Sequence, residues 1–154
     1  MGIPSGYTSA QVVQAVPSPF VSSVTSYTPT VGVWTLGNGS VEGRYVKIGD
    51  LVNVFGQVVF GSTSVFTAAQ PTITLPFTAK ASGDIAPLVS IMYYDASANL
   101  RYYGPGITGA GILYPITAIT TGTYLTNGNN VGNTVPFTWA VDDFIQFNFT
   151  YQVA

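Results

Sequence analysis

The stretch FIQFNFTYQV, residues 144–153, places Ile145, Phe147, Phe149, Tyr151 and Val153 on one side of an extended chain and Gln146, Asn148, Thr150 and Gln152 on the other. A period of two does not suit a helix, whose apolar positions recur every three to four residues; it marks a strand with one buried and one wet face. LVNVFGQVVF repeats the pattern, with Val52, Val54, Val58 and Phe60 on one face and Asn53 and Gln57 on the other. In TITLPF, Ile73, Leu75 and Phe77 alternate with threonines and a proline, and LVSIMYY at 88–94 is apolar on both faces, as expected of a strand covered on both sides. TVPFTWAV at 134–141 reads as a further strand, confined by Pro136 to an edge or a bulge.

Turn signals separate these runs: Asn38-Gly39, Gly49-Asp50, Gly61-Ser62, Ser82-Gly83-Asp84 and Gly104-Pro105-Gly106. The stretch richest in alanine, 79–87, is broken by Gly83 and Pro87, so no helix is expected there. The Gly-, Asn- and Thr-rich segments 104–111 and 121–134 read as loops. The expected fold is all-β, an antiparallel β-sandwich of jelly-roll-like form over residues 31–154, with Trp34 and Trp139 in its core. Residues 1–30 differ, with four prolines and many serines and threonines. Yet Ile3, Tyr7, Val12, Val13, Val16 and Phe20 make them more apolar than a disordered tail, so they are expected to form an extended N-terminal arm that docks on a partner.

Composition narrows the function. Charged residues are 6% of the 154, against about 25% in an ordinary globular domain. A chain of such low charge is expected to hide surface in an obligate assembly. Four basic residues and a net charge of −2 do not suit a run of phosphates, so no nucleic-acid partner is expected. No apolar run approaches the ~18 residues of a spanning helix, the opening MGIPSGYTSA lacks a signal-peptide core, and no membrane association is expected. Without histidine or cysteine the commonest general base, thiol nucleophile and soft metal ligands are missing.

Adjacent Asp142 and Asp143 would point to opposite faces of a strand, and read as a polar turn before the last strand rather than an acid and nucleophile pair. With the asparagines at 127, 129, 130 and 133 they offer oxygen atoms for calcium, but in no recognisable calcium-loop spacing. No catalytic residue, metal or cofactor is therefore expected.

Two groups of side chains stand out as contact candidates. Glu42, Arg44, Lys47 and Asp50 are a large share of the ten charged residues and crowd one hairpin. Glu42 and Arg44, two apart, share a strand face, where they pair on the surface or across a subunit boundary. Tyr93-Tyr94 and Tyr102-Tyr103 flank the turn DASAN, so one ring of each pair is expected to face outward as a contact aromatic.

The segment YTPTVGVWTLGNGSVEGRYVKIGDLVNVFGQVVFGSTS, followed by ITLPFTA, resembles a module of virion structural proteins of tailed bacteriophages, found in short virion proteins and near tail-fibre ends. The features that carry the resemblance are Tyr27-Thr28-Pro29, Gly37-Asn38-Gly39, Gly43-Arg44-Tyr45, Ile48-Gly49-Asp50-Leu51-Val52, Gly61-Ser62 and Leu75-Pro76-Phe77, and the closing DDFIQFNFTYQV is similar to the module's last strand. It spans residues 27–79 strongly, the end weakly, and 80–135 not at all. The resemblance implies an antiparallel β-sandwich, often trimeric, on a virion, and supplies no catalytic residue. The expected role is that of a capsid decoration or cement protein on the capsid exterior, with two further copies of the chain (a homotrimer) and the major capsid protein as partners. The alternative is a receptor-binding module of a tail fibre or tail tip, in which the tyrosines contact a host glycan.

Overall fold

The computed structural model describes residues 23–80, 87–121 and 124–154. The arm residues Ile3, Tyr7, Val12, Val13, Val16 and Phe20, and the Ser82-Gly83-Asp84 turn, lie outside them. The described chain is all strand: β1 (Thr25–Tyr27), β2 (Val31–Gly32), β3 (Ser40–Ile48), β4 (Leu51–Val59), β5 (Thr72–Thr74), β6 (Val89–Asp95), β7 (Leu100–Gly109), β8 (Ile112–Thr121), β9 (Tyr124–Asn130) and β10 (Phe144–Gln152). They form one antiparallel sheet in the order β1-β3-β4-β10-β6-β7-β8-β5-β2, with β9 added on β8. The sheet curls into a sandwich-like body. β1 and β2 lie at opposite ends of the strand order yet are joined by Thr28, Pro29 and Thr30, so one short stretch serves both edges. Thr30 helps hold it there, its carbonyl accepting from Thr74 N–H at 3.0 Å. The sheet thus begins earlier than sequence suggests, since residues 25–27, assigned to the arm, pair with β3.

The period-two pattern decides which face is inside. Val52, Val54 and Val58 of β4, Ile145, Phe147, Phe149 and Tyr151 of β10, and Val89, Ile91 and Tyr93 of β6 are all buried. Facing them are Ile73, Leu75 and Leu113. An aromatic cluster fills one end, built by Trp34, Phe60, Phe66, Phe137, Tyr93 and Trp139. The β3–β4 hairpin turns on Gly49 and Asp50, and Gly49 has φ +58°, a conformation that glycine adopts without strain. In the middle of the same hairpin Gly43 lies under the ring of Tyr27, its register partner on β1, and a side chain there would collide with that ring. Asn38 joins two of the sequence's turns, its Oδ1 accepting from Thr63 N–H at 2.9 Å while its amide donates to Ser62 Oγ at 3.1 Å.

Three expectations need correcting. Residues 104–109 are not loop but the second half of β7, and 124–130 form β9. Gly104 and Gly106 serve packing rather than turning: a Cβ on Gly106 would lie 2.8 Å from both Leu113 Cδ1 and Val89 Cγ1, and one on Gly104 would meet the β8 backbone. Residues 134–141 form no strand, and their one ladder contact is the Gly132–Val135 bridge. This segment instead carries Phe137 and Trp139 into the core, where both are buried, and its Val135–Pro136 peptide is cis.

The core holds phenols as well as hydrocarbon. Tyr93 is 0% exposed and donates to Ile116 O at 2.8 Å. The Tyr27 hydroxyl is buried with no hydrogen-bond partner among the described residues. Burial pushes both well above the usual tyrosine range, and pushes Tyr151 up to about 12. A phenol raised in the fold above its unfolded value of about 10 favours folding fully below pH 10, and that contribution disappears as pH climbs to the folded value. Because the chain lacks histidine and cysteine, no side chain has an ordinary pKa between about 5 and 8. Stability to urea is therefore expected to fall above pH 10, by up to about 1.4 kcal/mol per pH unit for each buried phenol. Tyr93→Phe should make that alkaline fall shallower.

Candidate functional site

The opposite face of the sheet carries the contact candidates. Across β3, β4, β10, β6 and β7 the register aligns Glu42, Gln57, Gln146, Met92 and Tyr103 in one row. The next row holds Arg44, Phe55, Asn148, Ser90 and Pro105, and a flanking row Ser40, Val59, Phe144, Tyr94 and Arg101. These positions alternate with the core residues of the same strands, so their side chains point outward. The face mixes neutral amides and hydroxyls with aromatics. Arg101 completes a stack along its edge, its guanidinium 5.0 Å from the Tyr94 ring centroid, with Tyr94 in turn 4.8 Å from Phe144. The Tyr94 hydroxyl donates to Asn99 Oδ1 at 3.0 Å, which fixes the ring.

Beside β3, the residues Glu42, Arg44, Phe55, Gly56, Gln57 and Gln146 bound a hollow of about 290 Å³. Arg44 is ion-paired with Glu42 across its rim, so the hollow has two charges that cancel. Both side chains are half or more exposed, so the pair adds at most about 1 kcal/mol to stability. The amides of Gln57 and Gln146 make no side-chain hydrogen bond with the described residues, leaving donors and acceptors free. Nearer the hairpin tip, exposed Ile48 and Leu51 are cross-strand partners on the same face.

The four hairpin charges divide. Glu42 and Arg44 share the outward face and pair, as their spacing implies. Lys47 lies on the core side of β3 at its rim, where its Nζ donates to Gly49 O at 2.6 Å and lies 5.7 Å from the Phe77 ring centroid. Asp50 is exposed in the turn, and its backbone carbonyl accepts from Val153 N–H at 2.9 Å.

The tyrosines divide likewise, one of each pair outward. Tyr94 and Tyr103 point out, and Tyr103 is 62% exposed. Tyr93 and Tyr102 are not contact aromatics: the period of two sends them inward, Tyr93 into the core and Tyr102 against Phe137 at 5.2 Å. Alternation had set Gln57 and Gln146 on the polar side of their strands, whereas Phe55, Met92, Arg101 and Phe144 were not foreseen as members of the face.

Asp143 is the buried acid that sequence did not distinguish from its neighbour. It is 1% exposed; Oδ1 accepts from Ala96 N–H at 2.8 Å and Oδ2 from Ala140 N–H at 2.6 Å. Burial pushes its pKa up, against the pull of those two donors, with Asp95 and Asp142 adding to the rise. Both oxygens are occupied in bracing the β6–β7 turn to the start of β10. Among the described residues no group of three or more His, Cys, Asp or Glu side chains gathers as a metal site. Nor is any helix there long and apolar enough to cross a membrane. No protein-family model, curated protein or solved structure matches the chain.

Proposed function

We propose that this chain is a structural protein of a bacteriophage virion: a capsid decoration or cement protein that works as a homotrimer and carries no catalytic activity. The observation that carries the reading is the outward face of the sheet. On β6, Met92 and Tyr94 are only half-buried and Leu88, just before the strand, is 91% exposed, although the run 88–94 is apolar on both sides. The described residues cover one side of that run and leave the other open to a second protein. Tyrosine, methionine and arginine with few other charges is also the composition of a protein interface core. The likeness of residues 27–79 to the phage module supports the virion setting.

On this reading the role is mechanical. Subunits bury the outward face against one another, and the arm and the rest of the surface add contact free energy between the trimer and the major capsid protein, raising the resistance of the closed shell. Gold-labelled antibody imaging of intact virus particles tests it. Label at many symmetric positions over the head is the expected result. Label confined to the tail tip would replace it with the receptor-binding reading, and label on no particle would remove the virion setting.

A further inference from the structure

We infer that Tyr103 of one copy seats in the Glu42–Arg44–Phe55–Gln57–Gln146 hollow of the next, joining the outward faces head to tail in a closed ring. This rests on the proposed self-association and names the contact that would produce it. The row Glu42, Gln57, Gln146, Met92 and Tyr103 runs straight across the face, with the hollow at one flank and the tyrosine at the other. Tyr103 is 62% exposed, and its side chain has neither hydrogen bond nor ring contact among the described residues. The hollow lies open, with the Phe55 side chain as an apolar wall and the free amides of Gln57 and Gln146 beside it.

The chemistry of the two flanks matches. A phenol joining an interface needs an apolar surface for its ring and a polar partner for its hydroxyl, and tyrosine is among the residues that carry most binding energy when seated in a pocket. The hollow offers both, and its paired charges present no net charge to a neutral guest. The two flanks do not meet within one chain. Tyr103 pairs with Met92, which pairs with Gln146, so two strand spacings of ~4.8 Å each separate them. Seated head to tail, a projection and a hollow build a ring when the rotation closes, and a ring of three follows from the proposed homotrimer.

The absence of cysteine from the chain makes the test clean. In the double variant Tyr103→Cys with Gln146→Cys, the two thiols of one chain stand on Cα atoms ~10 Å apart by strand spacing, beyond the ~7 Å that a disulfide spans. Mild oxidation can therefore join only different copies. The expected result on a non-reducing gel is a ladder that ends at a covalent trimer, with neither single variant producing it. Tyr103→Ala, a change at an exposed position, should weaken the wild-type oligomer at least tenfold.

Several results would overturn the inference. A wild type that is oligomeric by light scattering while the double variant forms no cross-link, or stops at two chains, overturns the seating of Tyr103 and leaves self-association standing. A wild type with the mass of one chain removes both. Should the double variant fail to fold, an unweakened Tyr103→Ala oligomer is sufficient to overturn it.

Discussion

Replacing Trp139 by alanine is expected to lower the stability of the fold by about 4 kcal/mol, within the range for large aromatic truncations in a packed core. Trp139 sits in a loop, yet its ring is 4.5 Å from Phe137, 5.3 Å from Phe60, 5.4 Å from Trp34 and 6.1 Å from Tyr93, centroid to centroid. It is the member that touches the most of the cluster, and its Nε1 donates to Val135 O at 3.2 Å, tying the loop to itself. Truncation leaves a void bounded by rings that pack on one another, Tyr93 among them fixed in β6, and that have little freedom to collapse into it. For a domain of this length the loss corresponds to a fall in melting temperature on the order of 10 °C. Thermal unfolding followed by near-ultraviolet circular dichroism measures it. A shift of a degree or two would mean that the loop is not part of the core.

The second large effect is expected at Asp143. Its two carboxylate oxygens satisfy the N–H groups of Ala96 and Ala140, one in the β6–β7 turn and one in the segment before β10. Asp143→Ala leaves both donors without a partner in a buried place, at about 1–3 kcal/mol each, partly offset by removal of a buried charge. A net loss of about 3 kcal/mol is expected. Asp143→Asn keeps the shape and one acceptor but points an NH₂ at the second N–H, so it should fall between alanine and wild type. Urea unfolding of the three proteins at pH 7 provides the ranking. An asparagine variant as stable as wild type would show that the second hydrogen bond contributes nothing.

These two residues also show where sequence is legible. The strands whose side chains alternate cleanly, β4 and β10, were readable because one face is packed and the other is not, and the buried members are the ones the alternation selects. The Gly49-Asp50 turn was readable because only a narrow set of residues suits a two-residue hairpin. The second half of β7 was not. Its glycines mimic turn signals, whereas they are required by the close approach of β8 and of Leu113, a tertiary cause that leaves no local trace. The segment bearing Trp139 failed in the opposite sense, since apolar and β-branched residues that suit a strand are drawn into the core from a loop.

The candidate surface was legible only residue by residue. Spacing alone sent Glu42 and Arg44 to one face, and alternation required one tyrosine of each pair to point outward. That Gln57 lies beside Gln146, and that both lie in line with Tyr103, depends on strand order and register, which no local pattern in the chain encodes. The hollow is a product of that register. The separation of Lys47 from Glu42 and Arg44 needs only the alternation of side chains along β3, and Asp50 stands apart because it lies in the turn.

The central claim is that the outward face is made to be covered by another copy. Light scattering of the purified full-length chain, coupled to size exclusion, measures this most directly. The account predicts a particle three times the 16.2 kDa chain mass, reduced toward a single chain by Tyr103→Ala. A wild-type mass of 16.2 kDa across the accessible concentration range would contradict it.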